Sequence, residues 1–141
     1  MAITKEELIK LLNKDLSWEY AAAVQYVQHA AVLTGPKYTD IQKELVVHAN
    51  EELAHAISLA EQIDFLGGVP TLEVETTKTS RNSVELLQQD LEGERNAIAG
   101  YKERIAQAEE LREYGLRRIL EDILIQEEEH ARDVSAALED K

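Results

Sequence analysis

The motif Glu-x-x-His occurs twice in this sequence, at Glu52 and His55 and again at Glu127 and His130. Residues three positions apart lie on one face of an α-helix, so each motif places a carboxylate beside an imidazole. A lone glutamate precedes each motif by 33 residues, and a shift of 75 residues superimposes the first set on the second. The complete repeated set is Glu19, Glu52, His55, Glu94, Glu127 and His130. This regularity predicts a two-fold repeat of helices that share one chemical site.

A single glutamate-rich run such as 127–130 is more typical of a solvated helix surface than of a binding site. The duplicated spacing argues against that interpretation for the six residues together, because a solvated surface requires no common register. Tyr26 and Tyr101 keep the same register, each seven residues after Glu19 or Glu94, and therefore lie on the same helix faces as these glutamates. We expect the tyrosines to hydrogen-bond the glutamates, to take part in electron transfer, or simply to pack in the core.

The composition disfavours several classes of partner. Lys and Arg number 15 against 28 Asp and Glu, and the net charge of −13 disfavours nucleic acids and anionic membranes as partners. The sequence contains no cysteine, so neither disulfides nor thiolate metal sites can form. There is no apolar run of about 18 residues and no signal peptide, and a cytoplasmic location is therefore expected.

Four helices are predicted from apolar residues that recur at helical spacing and from the signals at helix ends. Thr4 begins a capping box at the first helix, and Thr39 with Gln42 is interpreted as a second capping box. Glycine and proline end the first helix at 35–36 and the second at 67–70. The predicted helices lie in one domain, residues 1–141, and cover about residues 4–33, 40–66, 83–113 and 116–139.

The lengths of the connections predict the topology. The first and last connections are short, so helices one and two are antiparallel neighbours, as are helices three and four. The middle stretch, residues 69–81, is long enough to run along a helix of about 25 residues. Helix three can therefore run parallel to helix two. The expected fold is an all-α four-helix bundle with one long crossover between helices two and three.

The six repeated side chains would meet near the middle of this bundle and form a buried metal centre. Four carboxylates carry a charge of −4, which two divalent ions would neutralise. Without metal, some carboxylates would have to be protonated, because burying them together as anions is costly. Oxygen-rich ligation with one imidazole for each ion favours iron or manganese over zinc or copper.

Four residues near the motifs are considered for supporting roles. Glu51 and Gln126 each precede a motif glutamate, and each is a candidate to orient the histidine of the other motif. His48 lies one turn before Glu52 on the same helix face. It is interpreted as a surface or outer-shell histidine, with a metal-binding role as the alternative. His29 is interpreted as structural.

The sequence resembles the ferritin-like superfamily of di-iron carboxylate proteins, and bacterioferritin most closely. In that class one glutamate comes from each of two helices and a Glu-x-x-His motif from each of the other two. The resemblance covers nearly the whole chain. Beyond the six residues, it rests on Trp18-Glu19, Gln25-Tyr26, His29, the segment 65–70 (FLGGVP) and Asp90-Leu91 before Glu94.

The resemblance implies a site and an activity. Glu52 and Glu127 would bridge two iron ions. One further pair of residues would complete the coordination of each ion: Glu19 with His55 for one ion, and Glu94 with His130 for the other. The implied activity is that of a ferroxidase, which binds two Fe(II) and oxidises them with O2 or H2O2, and which stores the product if a shell forms.

Three departures from the family patterns shape the expectations. Leu53 stands where bacterioferritin has its haem-binding methionine, and the only methionine is Met1, which argues against haem. The sequence ends at Lys141 without the fifth helix of 24-subunit shells, so a homo-oligomer is expected that is a dimer at least. Ala97 stands where rubrerythrins have an additional glutamate.

Two alternative functions are also compatible with the sequence. The same ligands would suit a di-manganese or di-iron protein that consumes peroxide, as a catalase or peroxidase does. The chain would also suit a helical scaffold that retains a vestigial metal site. Metal content after purification separates the first alternative from a ferroxidase, and melting with and without metal tests the second.

Overall fold

The computed structural model describes residues 2–139, and all the regular secondary structure within that range is helical. Four long helices form the fold, and a short 3₁₀ helix, Pro36–Tyr38, precedes the second of them. The long helices are α1 (Lys5–Val32), α2 (Thr39–Phe65), α3 (Ser83–Glu110) and α4 (Tyr114–Glu139). The predicted all-α, four-helix fold is confirmed. Among residues 2–139, no helix combines the length and the apolar character that a membrane-spanning segment needs.

The bundle consists of two helical hairpins. Helix α1 packs mainly against α2, and α3 packs mainly against α4. The hairpins meet through contacts of α1 with α3 and of α2 with α4. Around the bundle the order is therefore α1, α2, α4, α3, so that each helix has two close neighbours. All four helices can contribute side chains to one central layer.

The crossover, residues 66–82, runs along the surface of α1. Near its start, the amide nitrogen Nδ2 of Asn13 donates to the Val69 carbonyl over 3.0 Å. Further along, the backbone N–H of Lys78 donates to Oε1 of Gln25 over 2.8 Å. These bonds follow α1 from its first turns towards its end, so α3 begins beside the end of α1. Helix α3 is therefore parallel to α2, as the crossover length predicts.

Side-chain caps define the beginnings of two helices. The hydroxyl oxygen of Thr4 accepts a hydrogen bond from the backbone N–H of Glu7 over 3.1 Å, which confirms the predicted cap of α1. The side-chain oxygen of Asn82 accepts from the backbone N–H of Glu85 over 2.9 Å at the start of α3. Each cap satisfies an N–H group that has no partner within its own helix.

The predicted capping box at Thr39 is wrong. The Thr39 hydroxyl donates instead to the Pro36 carbonyl over 3.2 Å, because the 3₁₀ turn leads directly into α2. Gln42 turns back across the hairpin, and its Nε2 donates to the carbonyls of Ala30 over 2.8 Å and Leu33 over 3.0 Å. Gln42 therefore satisfies carbonyl groups at the end of α1 rather than an N–H group at the start of α2.

Two glycines are required where α2 ends. Gly67 has a φ of 95°, a left-handed conformation that favours glycine over residues with a side chain. Gly68 packs closely on α1, since a Cβ at this position would lie 2.5 Å from Cγ2 of Ile9. The chain can therefore leave α2 and turn onto the surface of α1 only with small residues at this corner.

The apolar core has two parts, with a polar layer between them. One part packs the first half of α1 against the end of α2 and includes the fully buried Leu8, Leu12 and Leu59. The other packs the end of α1 against the start of α2 and includes Leu45 and Leu87. Truncating such a buried leucine to alanine typically costs about 2–5 kcal/mol. The two apolar clusters therefore hold the polar side chains between them in place.

Candidate metal centre

The structure brings all six predicted residues together in the polar layer. None of the six has more than 4% of its surface exposed. Their ligand atoms form two overlapping groups, in each of which all atoms lie within 4.8 Å of one another. One group is Glu19, Glu52, His55 and Glu127, and the other is Glu52, Glu94, Glu127 and His130. Glu52 and Glu127 belong to both groups, so the cluster is suited to two ions that share two carboxylates.

The Nδ1 atom of His55 faces the carboxylates. It lies 3.4 Å from Oε2 of Glu19, 3.4 Å from Oε1 of Glu52 and 3.4 Å from Oε1 of Glu127. These distances exceed those of good N–H···O hydrogen bonds. They match the separation of about 3.0–3.4 Å between ligand atoms that each lie about 2.1 Å from one metal ion.

The Nδ1 atom of His130 has an equivalent environment. It lies 3.2 Å from Oε1 of Glu52, 3.4 Å from Oε1 of Glu94 and 3.5 Å from Oε1 of Glu127. The same oxygen atoms of Glu52 and Glu127 therefore lie beside both histidines. Nδ1 is thus the histidine atom that each site can offer to an ion.

The other nitrogen of each histidine is held by the opposite motif. His55 Nε2 lies 2.5 Å from Oε1 of Gln126, and His130 Nε2 lies 3.1 Å from Oε1 of Glu51. Because both partners are oxygen acceptors, each Nε2 carries a proton and donates it, which leaves Nδ1 for a metal ion. The predicted orienting contacts of Glu51 and Gln126 are confirmed.

Two tyrosines hold the outer glutamates. The Tyr101 hydroxyl donates to Oε1 of Glu19 over 2.5 Å, and the Tyr26 hydroxyl donates to Oε1 of Glu94 over 2.6 Å. Of the roles left open for these tyrosines, the structure shows the hydrogen bonds to the repeated glutamates, and both side chains are also buried in the core. Burial, followed by the nearby carboxylates, raises the pKa of both tyrosines well above its usual value, so their hydroxyls remain protonated donors.

Burial dominates the protonation of the carboxylates. Burial and then the charge of Glu127 raise the pKa of Glu19 and that of Glu94 to about 7. Burial and then the charge of Glu52 raise the pKa of Glu127 to about 8, and burial also raises the pKa of Glu52. Near neutral pH the metal-free cluster therefore holds protons that two divalent ions would displace.

The two histidines respond to the same carboxylates. Burial opposes protonation of His130, but Glu52 and Glu94 outweigh it and raise the pKa of His130 to about 11. Burial also opposes protonation of His55, while Glu127 and Glu19 raise its pKa far above the usual value. The metal-free histidines are thus cations that partly neutralise the cluster, and a bound ion would replace the Nδ1 proton of each.

The unsatisfied atoms of the cluster fit a pair of divalent ions. Each of the four glutamates has a buried carboxylate oxygen without a hydrogen-bond partner among residues 2–139: Glu19 Oε2, Glu52 Oε1, Glu94 Oε2 and Glu127 Oε1. Leaving such an atom unsatisfied typically costs about 1–3 kcal/mol, and more when the group is charged. Carboxylate oxygens with one imidazole for each ion suit iron or manganese.

A cavity of about 390 Å³ lies between α1 and α3 and extends to the cluster. All four glutamates contribute to its lining, as do both tyrosines. Small residues on α3, namely Gly93, Ala97 and Gly100, leave space beside α1. Sequence reasoning missed this cavity, although the recurrence of small residues along one face of α3 was a visible signal. A cavity of this kind gives small molecules access to the cluster.

The other two histidines have different environments. His48 is completely buried, so its interpretation as a surface residue is wrong. Its ring stacks on that of His130 with centroids 4.0 Å apart, which agrees with the outer-shell interpretation. His29 is also buried, with Nδ1 2.8 Å from Oδ1 of Asp90 and Nε2 2.8 Å from the Lys78 carbonyl. It therefore joins α1 to α3 and to the crossover, as expected of a structural histidine.

A four-helix bundle with this crossover and this buried layer of four glutamates and two histidines defines the ferritin-like class. The family model described as ferritin-like domain matches residues 9–141. This chain belongs to the ferritin-like family, and it lies close to bacterioferritin within it.

Named relatives support this placement. Bacterioferritin from Brucella melitensis is 34% identical over 125 residues, which cover 88% of this chain and 78% of the relative. Bacterial ferritin from Synechocystis sp. is 33% identical over 129 residues, which cover 90% of this chain and 83% of the relative.

Two solved structures have the same fold. The ferritin-like di-iron-carboxylate protein from Bacillus anthracis superimposes with a TM-score of 0.91 at 32% identity, covering 98% of this chain and 99% of its own. The dodecameric thioferritin of Bacteroides fragilis, a bacterioferritin-related protein, superimposes with a TM-score of 0.91 at 35% identity, covering 98% and 88% of the two chains.

Proposed function

We propose that this protein is a ferroxidase that binds two Fe(II) ions as substrate and oxidises them with O2 or H2O2. The observation that carries the proposal is the pair of overlapping ligand groups that share Glu52 and Glu127. Two ions that share carboxylates lie close enough together to transfer electrons to one oxidant molecule. The names of the bacterioferritin and di-iron-carboxylate relatives favour iron as the metal.

Each residue of the cluster has a role in this proposal. Glu52 and Glu127 bridge the two ions. Glu19 and His55 complete the ligands of one ion, and Glu94 and His130 complete those of the other. The carboxylates stabilise Fe(III) more than Fe(II), because the attraction between opposite charges grows with the charge of the ion. The histidines, held by Gln126 and Glu51, keep the ligand geometry fixed during oxidation.

The oxidation balances with either oxidant. Two Fe(II) and two protons reduce H2O2 to two molecules of water and leave two Fe(III). Two Fe(II) and two protons reduce O2 to H2O2 and likewise leave two Fe(III). Either oxidant is small enough to reach the cluster through the cavity between α1 and α3.

We also propose that the protein works as a homo-oligomer. Several large apolar side chains of α1 and α2 are exposed, among them Val24, Val27, Val46, Leu53 and Ile57. Exposed apolar surface of this extent is typical of subunit contacts. The dodecameric assembly of the Bacteroides fragilis relative is a precedent. Leu53 offers no ligand atom, so haem is not part of the proposal.

The test is rapid oxidation of Fe(II) by the purified protein. Metal-free protein is loaded without oxygen with two Fe(II) per chain and mixed with O2 or H2O2, and the Fe(III) absorbance is recorded over time. The wild type should oxidise both ions much faster than free Fe(II) is oxidised. Glu127→Ala and Glu52→Ala should abolish the fast phase while circular dichroism shows intact helices.

Glu129→Ala is the matched control, since Glu129 lies in the same glutamate-rich run but is exposed. It should oxidise Fe(II) as the wild type does. Fast oxidation in both Glu127→Ala and Glu52→Ala would contradict the proposal.

A further inference from the structure

The cavity between α1 and α3 is larger than a small oxidant requires. Its volume of about 390 Å³ lies within the range of pockets that bind small organic molecules, about 300–1,000 Å³. A water molecule occupies about 30 Å³ in the liquid, and O2 and H2O2 are not much larger. The lining of the cavity is mainly apolar. The cavity therefore has room for a molecule that contains a ring.

The cavity meets the centre from the side of the carboxylates. All four glutamates of the centre line it, whereas His55 and His130 do not. The Nε2 atoms of these histidines are held by Gln126 and Glu51, which lie on α4 and α2. A molecule in the cavity would therefore face the glutamates, and the orienting contacts of the histidines would be left intact.

Two largely buried ion pairs join α1 to α3 beside the cavity. Arg104 donates to Asp15 through two hydrogen bonds, from Nε to Oδ2 over 2.7 Å and from Nη2 to Oδ1 over 3.1 Å. In the second pair, Nδ1 of His29 lies 2.8 Å from Oδ1 of Asp90. A shift of 75 residues superimposes Asp15 on Asp90 and His29 on Arg104. The two pairs therefore occupy equivalent positions in the repeat.

The two pairs differ in how many carboxylate oxygens they satisfy. The planar guanidinium of Arg104 reaches both oxygens of Asp15. The imidazole reaches only Oδ1 of Asp90, and Nε2 of Gln25 donates to the same oxygen over 2.9 Å. Asp90 lines the cavity, and its buried Oδ2 has no hydrogen-bond partner within residues 2–139. Buried polar atoms are normally hydrogen-bonded, so a molecule with a hydroxyl donor would complete this carboxylate.

The walls of the cavity suit a flat aromatic ring. Gly93, Ala97 and Gly100 recur about one turn apart on α3 and bring no large side chain to the cavity. Trp18 is half exposed and lines the cavity from α1. An indole ring offers a large apolar surface on which another aromatic ring can stack. The cavity thus combines room for a ring, an aromatic wall and an acceptor oxygen without a donor.

We propose that this cavity binds a small hydroxylated aromatic molecule of the hydroquinone class, whose hydroxyl donates to Oδ2 of Asp90. The bound molecule acts as an electron donor to the oxidised centre. A hydroquinone gives up two electrons and two protons, which matches a centre that holds two ions. The donor role rests on the proposed ferroxidase function, whereas the binding site does not.

The electron transfer balances. Both O–H bonds of the hydroquinone break, its two electrons reduce two Fe(III) to two Fe(II), and its two protons pass to water in the cavity. A quinone is left. With H2O2 as the oxidant of the two Fe(II), the sum of both steps converts one hydroquinone and one H2O2 into one quinone and two molecules of water.

The binding site is tested with hydroquinone and metal-free protein under nitrogen. Trp18 is the only tryptophan of the chain, so its fluorescence, corrected for absorption by the ligand, reports on the cavity. The wild type should show saturable quenching with a Kd in the millimolar range or below. The dimethyl ether of hydroquinone has the same ring but no hydroxyl donor. It should bind at least about ten-fold more weakly, because Oδ2 of Asp90 then stays unsatisfied.

Substitution of glycines in the cavity wall tests where the ligand binds. At Gly93 and Gly100 a new Cβ would meet no atom within 4 Å apart from its chain neighbours and the backbone of its own helix. Gly93→Leu and Gly100→Leu should therefore remain folded, fill the cavity and lower the affinity at least about ten-fold. Gly115→Leu is the matched control, because Gly115 has the same open surroundings but lies in α4, outside the cavity.

Three results would overturn the binding site. They are unchanged fluorescence of the wild type, equal affinity for hydroquinone and its dimethyl ether, and wild-type affinity in both Gly93→Leu and Gly100→Leu. Circular dichroism checks that the variants are helical. The comparison of the two ligands uses the wild type alone, so the test does not depend on the folding of a variant.

The donor role has its own measurement. Protein with two Fe(II) per chain is oxidised with one H2O2 per chain, and hydroquinone is added without oxygen while the Fe(III) absorbance is recorded. The loss of Fe(III) should saturate with hydroquinone as the fluorescence does, and one quinone should form for every two Fe(III). The rate should fall about ten-fold in Gly100→Leu and stay unchanged in Gly115→Leu.

The two proposals fail in different ways. If no Fe(III) forms on addition of H2O2, the ferroxidase proposal is wrong and the donor role is wrong with it, while the binding site is unaffected. If Fe(III) forms but its loss neither saturates with hydroquinone nor slows in Gly100→Leu, the donor role alone is overturned.

Discussion

The hydroxyl of Tyr101 lies 2.5 Å from Oε1 of Glu19, and this bond joins α3 to α1 at the buried centre. The equivalent bond runs in the opposite direction, from Tyr26 on α1 to Glu94 on α3 over 2.6 Å. Each half of the repeat therefore supplies the tyrosine that holds the other half's outer glutamate. These reciprocal hydrogen bonds between the two halves explain why the tyrosines keep the register of the glutamates.

Removing one of these hydroxyls should destabilise the protein. Tyr101→Phe leaves Oε1 of Glu19 buried without its donor, and we expect the free energy of unfolding to fall by about 1–3 kcal/mol. Urea denaturation of the metal-free protein measures this loss. Tyr114→Phe is the control, because Tyr114 is 54% exposed and should tolerate the change. Equal stability of the two variants would show that the Tyr101 hydroxyl bond contributes little.

The stability of the metal-free protein should fall as the pH rises from about 6.5 to 8.5. Glu19, Glu94 and Glu127 have folded-state pKa values of about 7, 7 and 8 against the usual 4.5, so the folded state holds their protons more tightly. The stabilisation of the folded state by these three carboxyl groups is fully present below pH 4.5 and is lost as the pH rises through 7 to 8. The raised pKa of His130, about 11 against 6.5, acts in the same direction.

His48 determines the lower limit of that pH window. Burial and then the charge of His130 lower the pKa of His48 to about 4 from 6.5, so its contribution to stability is complete only above pH 6.5. Urea midpoints with a chelator, at intervals between pH 6.5 and 8.5, measure the slope. Glu127→Gln should flatten it. A free energy of unfolding that rises with pH over this range would show that the buried glutamates do not hold protons in the metal-free folded state.

Loss of the Gln126 side chain should weaken metal binding without unfolding the protein. In Gln126→Ala, His55 loses the acceptor that holds Nε2 over 2.5 Å, and its Nδ1 is no longer oriented. Changes of this kind typically lower metal affinity about 10–100-fold. Mn(II) titration measures the affinity, with the exposed Gln88→Ala as the control. An affinity like that of the wild type would mean that packing alone orients His55.

Two glycine substitutions should change stability in opposite directions. Gly68→Ala places a Cβ 2.5 Å from Cγ2 of Ile9, and we expect it to destabilise the protein by about 1–3 kcal/mol. Gly115→Ala lies in the first turn of α4, where the new Cβ would meet no atom within 4 Å apart from its chain neighbours and the backbone of its own helix, and it should stabilise the protein by about 0.5–1 kcal/mol. Thermal unfolding compares the two. Similar effects at both positions would contradict the close contact at Gly68.

Much of the fold and of the metal centre could be predicted because both depend on residues that are close in the sequence or that recur at a fixed spacing. The 75-residue register puts Glu19 and Glu94 at equivalent positions, and helical spacing pairs each motif glutamate with its histidine. The length of the crossover decides the direction of α3. The orienting contacts of Glu51 and Gln126 follow from the same repeat, since each precedes a motif glutamate.

The features that could not be predicted depend on how the helices are rotated against one another. The burial of His48 beside Asp133 depends on how α2 faces α4. The cavity exists only because the small residues of α3 lie opposite α1. The capping box predicted at Thr39 from its spacing to Gln42 does not form, because the 3₁₀ turn that begins at Pro36 leads directly into α2. The cytoplasmic location and the absence of haem stay predictions from the sequence.

Whether the six side chains hold a pair of iron ions can be seen by anomalous diffraction at the iron edge from crystals soaked in Fe(II) without oxygen. We predict two strong peaks per chain in the polar layer, about 3.5–4 Å apart, with Glu52 and Glu127 between them. One peak should lie beside His55 and the other beside His130. A single peak, or no peak among these six side chains, would show that they do not form a centre for two iron ions.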